Sequence, residues 1–527
     1  MDRITVIGHV ALDTDPVELP EHFESAKHLL AFHAYTRVIN DKNQLVDHLQ
    51  LESAWRGKDE RLSIWDIRLS APLILATHLR GAGFTVQIIN SITADTADQS
   101  LAAIEEFDPC IIVLCSTFIL SSSQFLDVSL RLRERFPACA IVAGGQHVFT
   151  QLMRKSAEER AAYLADSELD AFICDPQGEA ALVTFCRAVA NGRDLRDLAA
   201  IPNLIYRHAD GTTTHGPAIP ENNEMNLSGP DLHEVEPNQV IHIRTARSCS
   251  FKCAFCTYPS IAGPLALMDV DAAMVVLRRA RDCRVSAVVF TDDTFNVPPE
   301  RFESLLDSMI AEKLGLTWYS FLRCQYLTEP LVRKMVASGC AGVFLGVESG
   351  SDAILRNMKK GAVARFYRDG IRWLKEAGIL TMGAFVVGFP GETSETVEET
   401  RIFIEKSGLD YYLLQPFFYL HHAPINDRAA EFDLGGQGLF WSHKTMNWRQ
   451  ANDHINRLFL DIRNSTFIHP DYNLWEYVYL RSRGLSDDEF RAYRLRINDM
   501  TRTQLLDYDL IRAVDGEMAV GITSRRT

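Results

Sequence analysis

The chain has 527 residues, more than one hydrophobic core organises, so two large domains and a smaller third are expected. Apolar residues make up 47% and charged residues 23%, which excludes a disordered chain. A formal charge of -15 argues against nucleic acid or an anionic membrane as the main partner, while leaving room for a local basic pocket.

The opening MDRITVIGHVALDTD carries Arg3 but no basic leader with an apolar run and cleavage site. No apolar stretch reaches about 18 residues. A cytoplasmic protein without a membrane span is therefore expected. Residues 4–9, ITVIGH, read as the first strand of a sheet, which makes roughly 10–60 an insertion. The helix APLILATHLRGAG, ended by Gly81 and Gly83, leads into the strand FTVQIIN. A helix through LAAIEEF, the strand CIIVLCST, a helix through FLDVSLRLRERF, the strand CAIVAGG, a helix near 154–165 and the strand DAFIC follow. Apolar β-branched strands alternating with helices predict a Rossmann-like α/β domain over 1–190, with a parallel sheet covered on both faces.

Residues 191–240, with NGRD, HADGTTTHG and IPENNEMNLSGPD, read as a polar connector. A second alternating series spans 241–430. Its strands are IHIRT, SAVVF, LTWYSFLR, GVFLGVE, ILTMGAFVVG and YYLLQPFFYL, separated by helical segments such as PLVRKMVASG. Six such units predict a partial (β/α)6 barrel with its chemistry at the C-terminal strand ends. Residues 431–527 are predicted to be mainly helical, with a cap at SDDEF, and to cover the barrel mouth.

Of eleven cysteines most lie in apolar runs, as Cys110 and Cys115 do, and read as buried free thiols. Cys249, Cys253 and Cys256 differ. They stand in RTARSCSFKCAFCTYP, directly after a predicted strand. Three thiolates on one short loop can ligate three corners of an iron-sulfur cube and leave the fourth iron open to a small molecule. Structural zinc is the rival, but it wants four ligands, and no Cys or His follows at the usual spacing. Cys283 stands 27 residues beyond Cys256.

With Phe255 as its aromatic, the segment resembles the radical S-adenosylmethionine (SAM) superfamily, whose motif is Cys-x3-Cys-x-aromatic-Cys. The resemblance covers about 241–420 and implies a [4Fe-4S] cluster whose open iron binds SAM, with Phe255 near the adenine. TDDTFN stands where the family recognises the SAM amino group, so it makes Asp292 and Asp293 candidates. The family's usual Gly-Glu is missing there, and one aspartate can instead face substrate. GVESGSD implies that Glu348 contacts the SAM ribose or amino acid portion, and VVGFPGET resembles the segment that supports SAM through its backbone.

Residues 60–215 resemble the cobalamin-binding domains that precede some radical SAM enzymes. The matching wording is LATHLRGAGFTV, the STF segment with Ser116 and Thr117, AGGQH with Gly144 and Gly145, DPQGEAAL with Gly178 and Glu179, and IPNLIYR. His147 in AGGQH reads equally as a satisfied histidine or a cofactor contact. The cobalt-ligating motif Asp-x-His-x-x-Gly is absent from the expected region. WDIRLSAP stands there instead, which makes Arg68, or a neighbour such as Ser70, the candidate for the lower face of cobalt.

Together these segments resemble cobalamin-dependent radical SAM methyltransferases of specialised metabolism and antibiotic biosynthesis, including the phosphinate P-methyltransferase and tryptophan C-methyltransferase groups. The resemblance implies SAM, cobalamin and a [4Fe-4S] cluster as cofactors and a small-molecule substrate, an aromatic amino acid such as tryptophan or a phosphinate. An external electron donor serves initiation or cobalamin reactivation. Tyr319 and Arg323 on a barrel strand are candidate catalytic residues, with Arg323 suited to a carboxylate or phosphinate. His421, His422, His443, Trp441 and Trp448 read either as substrate contacts or as packing. Radical initiation and direct nucleophilic transfer both stay open. A cobalamin-associated cyclase or rearrangement enzyme is the alternative activity, whereas a methylthiotransferase would need further cluster ligands.

Overall fold

The computed structural model describes residues 2–11, 37–39, 45–57, 61–93, 96–119, 121–153, 155–192, 195–208, 210–221, 224–227, 229–470 and 473–507. Numbering only the strands of the two main sheets, the first contains β1 (Arg3–Ile7), β2 (Thr85–Ile89), β3 (Ile111–Cys115), β4 (Ala140–Gly144), β5 (Ala171–Ile173), β6 (Leu204–Arg207) and β7 (Thr213–His215). Their order is β7-β6-β5-β4-β3-β1-β2, and the pairs among β1 to β5 are all parallel. Every residue of β3 is buried, as a strand covered on both faces requires. Phe125, Val128 and Leu132 cover one face, and Ala76, Leu79, Leu182 and Phe185 the other. The strand order reverses between β1 and β3, which opens a crevice at the carboxyl ends of the strands.

The expected first strand at 4–9 is present as β1. The expected connector is only partly one: β6 and β7 pair antiparallel onto β5 and finish the sheet. Its turn-rich polar wording hid a short hairpin, because an edge hairpin need bury only one row of side chains. The helix expected near 154–165 runs Ala157–Asp166 and starts on a capping box between Ser156 and Glu159. Of the expected insertion, Arg37–Ile39 pairs antiparallel with Leu45–Asp47 and a helix follows at His48–Trp55; most of the rest lies outside the described residues.

The second sheet runs β8 (Val240–Ile243), β9 (Ala287–Phe290), β10 (Trp318–Leu322), β11 (Cys340–Glu348), β12 (Leu380–Val387), β13 (Tyr411–Pro416) and β14 (Thr466–Phe467), in chain order and entirely parallel. Six of these strands are the predicted ones, and β14 is a short addition. The backbone of Arg68 joins the edge of this sheet, its N–H donating to Val240 O at 2.9 Å and its carbonyl accepting from His242 N at 2.9 Å. A segment of the first domain is thereby stitched to the second.

The C-terminal region is mainly helical, as expected, but its position differs. Tyr477, Val478, Phe490, Tyr493 and Ile497, from helices Asn473–Ser482 and Asp487–Asp507, pack against Val240, Ala287 and Tyr411, the first residues of their strands. These helices fill the bottom of the barrel rather than roofing its mouth. Apolar side chains point inward at the strand starts and need a plug to exclude water. The Arg494–Glu476 ion pair at 3.3 Å, with both side chains at most 1% exposed, and a Tyr493 hydroxyl donating to Glu476 at 2.6 Å fasten the two helices together.

Candidate active site

The loop bearing the three cysteines leaves β8 and is held from behind. Asp292, the second residue after β9, accepts hydrogen bonds from Thr245 N (2.6 Å), Ala246 N (3.0 Å) and the Thr245 hydroxyl (2.5 Å). Burial raises its pKa, and these donors work against that rise. Both oxygens are engaged in shaping the loop, so of the two candidate aspartates Asp292 is a brace. The Ser248 hydroxyl donates to Gly263 O at 2.6 Å, and Ala254 N donates to Met358 O at 2.7 Å. These contacts turn the chain tightly around Cys249, Cys253 and Cys256, all free thiols, and burial raises the Cys256 pKa to about 11.

Among the described residues no three His, Cys, Asp or Glu side chains converge closely enough to hold a single metal ion. A cluster asks for something else: soft thiolates at its corners rather than donors meeting at one point. The donor set fits it. Phe255 stands edge-on to Phe389 with ring centres 6.4 Å apart, between the cysteine loop and the GFPG turn.

Glu348 ends β11 with φ at 70° and pairs with Lys360 at 2.7 Å, both side chains close to fully buried. Lys360 Nζ lies 5.8 Å from the Phe255 ring, so the Glu348–Lys360 pair stands close to the cysteine loop. Arg323 is placed differently from expectation. Its guanidinium lies 3.6 Å over the Phe251 ring, and one nitrogen donates to Cys253 Sγ at 3.7 Å and to Lys360 O. It serves the loop from beneath and does not line the cavity described next. Tyr319 is also corrected: it is buried in the barrel plug against Tyr477, with ring centres 6.0 Å apart. It faces inward but too near the bottom of the strand to meet a ligand at the mouth.

Between the two sheets lies a cavity of about 540 Å³, a size usual for ligand sites. One wall is the carboxyl edge of the first sheet, including Val113, Val142, Gly144, Gly145 and Ile173, with Thr117, Gly178 and Glu179 from the following loops. Gly145 has φ at 108°, and a Cβ there would stand 3.1 Å from the backbone nitrogens of Ser116 and Thr117, so only glycine lets the loop lie this close. Ser116 is buried behind the wall, its hydroxyl donating to Gly144 O (2.8 Å) and accepting from Val148 N (3.2 Å). It shapes the glycine turn without facing the cavity.

Arg68 does not reach the cavity either. Its Nε donates to Gln239 Oε1 at 3.0 Å, on the connector side, while Leu69 and Ser70 line the wall. Strand-like pairing of Arg68 with β8 turns the successive side chains of Arg68 and Leu69 to opposite sides, and Ser70 begins the helix Ser70–Gly81. His147 is a core residue, bonded to the Tyr163 hydroxyl at 2.9 Å and stacked on Phe125.

The opposite wall comes from the barrel and carries the polar groups. His242 and Arg244, two apart along the strand exit, share one face with Tyr258, Thr291, Asp293 and Phe321. Asp293 opens onto the cavity, and the protein enclosing its other sides, then the Asp292 carboxylate, raise its pKa to about 7. Burial lowers the His242 pKa to about 3, so its ring is neutral, and its Nε2 has no partner among the described residues. Trp475, from the plug helix, reaches this wall with its ring centre 4.9 Å from that of His242, and Phe118 stands 5.7 Å from Trp475. Phe118 and Trp475 both line the cavity.

Sequence reading missed His242, Arg244, Tyr258, Phe118 and Trp475. Two polar residues at alternate positions in IHIRT were a usable sign of an inward polar row. Phe118 stands in the STF segment without having been singled out there, and nothing local pointed to Trp475. The aromatic residues expected at the substrate lie elsewhere. Trp441 is buried and donates to Phe417 O at 2.7 Å, and His443 meets Gly388 O at 3.2 Å. His421 meets Gly436 O at 2.9 Å, Trp448 borders a separate surface groove, and His422 is not among the residues lining the cavity.

Residues 243–404 match the Radical SAM superfamily model. An uncharacterized methyltransferase of Pyrococcus horikoshii is 26% identical over 80% of this chain and 90% of its own length. The anaerobic magnesium-protoporphyrin IX monomethyl ester cyclase of Rubrivivax gelatinosus is 26% identical over 62% of this chain and 60% of its own length. Among solved structures, the radical SAM methyltransferase TsrM of Kitasatospora setae, with cobalamin and a [4Fe-4S] cluster bound, superposes with a TM-score of 0.57 at 18% identity. That match covers 82% of this chain and 78% of TsrM. A second structure of TsrM contains tryptophan and a SAM analog.

Proposed function

We propose, from a radical SAM domain set within the fold of a cobalamin-dependent radical SAM methyltransferase, that this chain moves a SAM-derived methyl group by way of cobalamin to a small molecule. One observation carries the reading. A single cavity has the glycine-lined edge of a doubly wound sheet on one side and, on the other, residues of the barrel that also bears the cysteine loop. A cavity walled by both sheets suits a ligand held between them, at the side of the barrel from which the cysteine loop emerges. Bound to this chain, a cluster with SAM would supply one-electron chemistry and cobalamin a transferable methyl group.

The chain's own residues hold and exclude. Cys249, Cys253 and Cys256 would hold the cluster, and Phe255 and Glu348 would contact SAM. Gly144, Gly145 and Gly178 admit cobalamin to the sheet edge, with Thr117 and Glu179 beside it. Phe118 after β3 of the first sheet, Phe321 on the barrel wall and Trp475 from the plug helix suit a planar group by stacking and water exclusion. Arg244 suits an anionic one, and its Nε has no partner among the described residues. These features favour an aromatic amino acid such as tryptophan as substrate, with a phosphinate as the other anionic choice. Asp293, with its pKa raised to about 7, can accept a proton from the substrate.

Anaerobic incubation of the reconstituted protein with methyl-labelled SAM, cobalamin and L-tryptophan, then with a phosphinate, tests the reading. Label in the product supports it. A rearranged, unlabelled product would support a cyclase, the activity named for the Rubrivivax gelatinosus relative. Release of 5'-deoxyadenosine in step with product marks the radical route and its absence the direct one.

A further inference from the structure

Cys253 is the most buried of the three cysteines in the loop, and it is the one with a cation against its sulfur. The Arg323 side chain is about 95% buried. Its planar group is fixed on one side by Phe251, at 3.6 Å, and at its edge by Lys360 O and Cys253 Sγ. Its Nε has no partner among the described residues. Phe251 belongs to the cysteine loop itself, so the guanidinium is clamped between that loop and the exit of β10. The next cation, Lys360, is paired with Glu348 at 2.7 Å. Arg323 is thus a buried positive charge in this layer with no carboxylate paired to it among the described residues, and besides the Phe251 ring and Lys360 O it meets a cysteine sulfur.

We infer that Arg323 is a positioning residue that sets the reduction potential of the cluster through Cys253. The inference rests on the reading that the triad holds a [4Fe-4S] cluster. Reduction adds one electron, from an external one-electron donor, and neither makes nor breaks a bond. The cluster with its thiolates becomes more negative by one charge. A fixed cation hydrogen-bonded to one thiolate favours the more negative state, and it does so strongly where little water screens it. The chain thereby makes the cluster easier to reduce than three thiolates in an apolar loop would be alone. Arginine suits the task because its charge persists when buried and its flat face can stack while its edge donates.

Dithionite titration of the reconstituted full-length protein, followed by electron paramagnetic resonance, tests this with iron and sulfide counted in each sample. Arg323→Gln is expected to keep its cluster and to be at least tenfold harder to reduce, a shift of about 59 mV to more negative potential for one electron. Arg323→Lys, which keeps the charge and loses the fork, should lie between it and the unmodified protein. Phe251→Leu, which frees the guanidinium, should shift in the same direction as Arg323→Gln. If Arg323→Gln fails to fold or to hold iron, the other two variants decide. Intact clusters with unchanged midpoints in the variants would overturn the inference. An unmodified protein that takes up no reducible four-iron cluster would instead overturn the cluster reading beneath it.

Discussion

The Asp292 carboxylate lies 2.6 Å from the backbone nitrogen of Thr245, and through that contact β9 dictates how the cysteine loop leaves β8. A buried carboxylate that accepts two backbone donors and a hydroxyl is costly to remove, because the donors stay behind without partners. For Asp292→Ala we expect a loss of roughly 1–3 kcal/mol for each donor left unsatisfied, seen as a lower melting temperature, together with less iron per chain after reconstitution. Asp292→Asn, which keeps an acceptor, should be milder on both counts. Normal iron content in a stable Asp292→Ala protein would count against the brace.

Gly145→Ala should weaken cobalamin binding without disturbing the barrel. Its φ of 108° and the 3.1 Å approach to two backbone nitrogens make any side chain strained, at about 1–3 kcal/mol. Absorbance titration with cobalamin reads the effect, and the iron content should be unchanged.

Asp293 should impose a pH dependence near neutrality. Its pKa is raised from 3.8 to about 7, so between those values the folded chain holds a proton that the unfolded chain has released. The stability it contributes is full below the lower value, falls as pH rises through the window, and changes no further above the upper one. If Asp293 accepts the substrate proton, methyl transfer rises as pH passes about 7 and Asp293→Asn abolishes that rise. A matching inflection retained in the variant would assign it to another group.

Breaking the Arg494–Glu476 pair should loosen the plug. Arg494→Met leaves Glu476 charged and buried, and denaturant unfolding should show a loss of about 3–5 kcal/mol. Replacing both by apolar residues should recover much of it, since neither desolvated charge then remains.

The parts of this protein that could be read from its residues are those fixed by local spacing. Alternating apolar strands and amphipathic helices announced both sheets, because burial on two faces demands that pattern. A Cys-x3-Cys-x2-Cys run specified its own loop. The misplaced residues share one difficulty. Tyr319 and Phe321 lie on the same inward row of β10, yet one is plugged over and the other faces the cavity. Only the depth of the C-terminal helices separates them. Arg68 and Ser70 could not be told apart for a similar reason, since the pairing of Arg68 with β8 turns its side chain away from the cavity while Ser70 opens a helix at the cavity wall.

Sequence by itself therefore determined the two α/β units, the order of their strands along the chain and the spacing of the three clustered cysteines, all set by near neighbours. Tertiary structure alone decided that Asp292 braces while Asp293 faces the cavity, that Arg323 serves Cys253, and that Trp475 meets His242 across 233 positions. Those relationships come from how the plug helices, the barrel and the first sheet pack. Burial rewards total apolar contact and carries no record, in any one segment, of which distant surface will supply it.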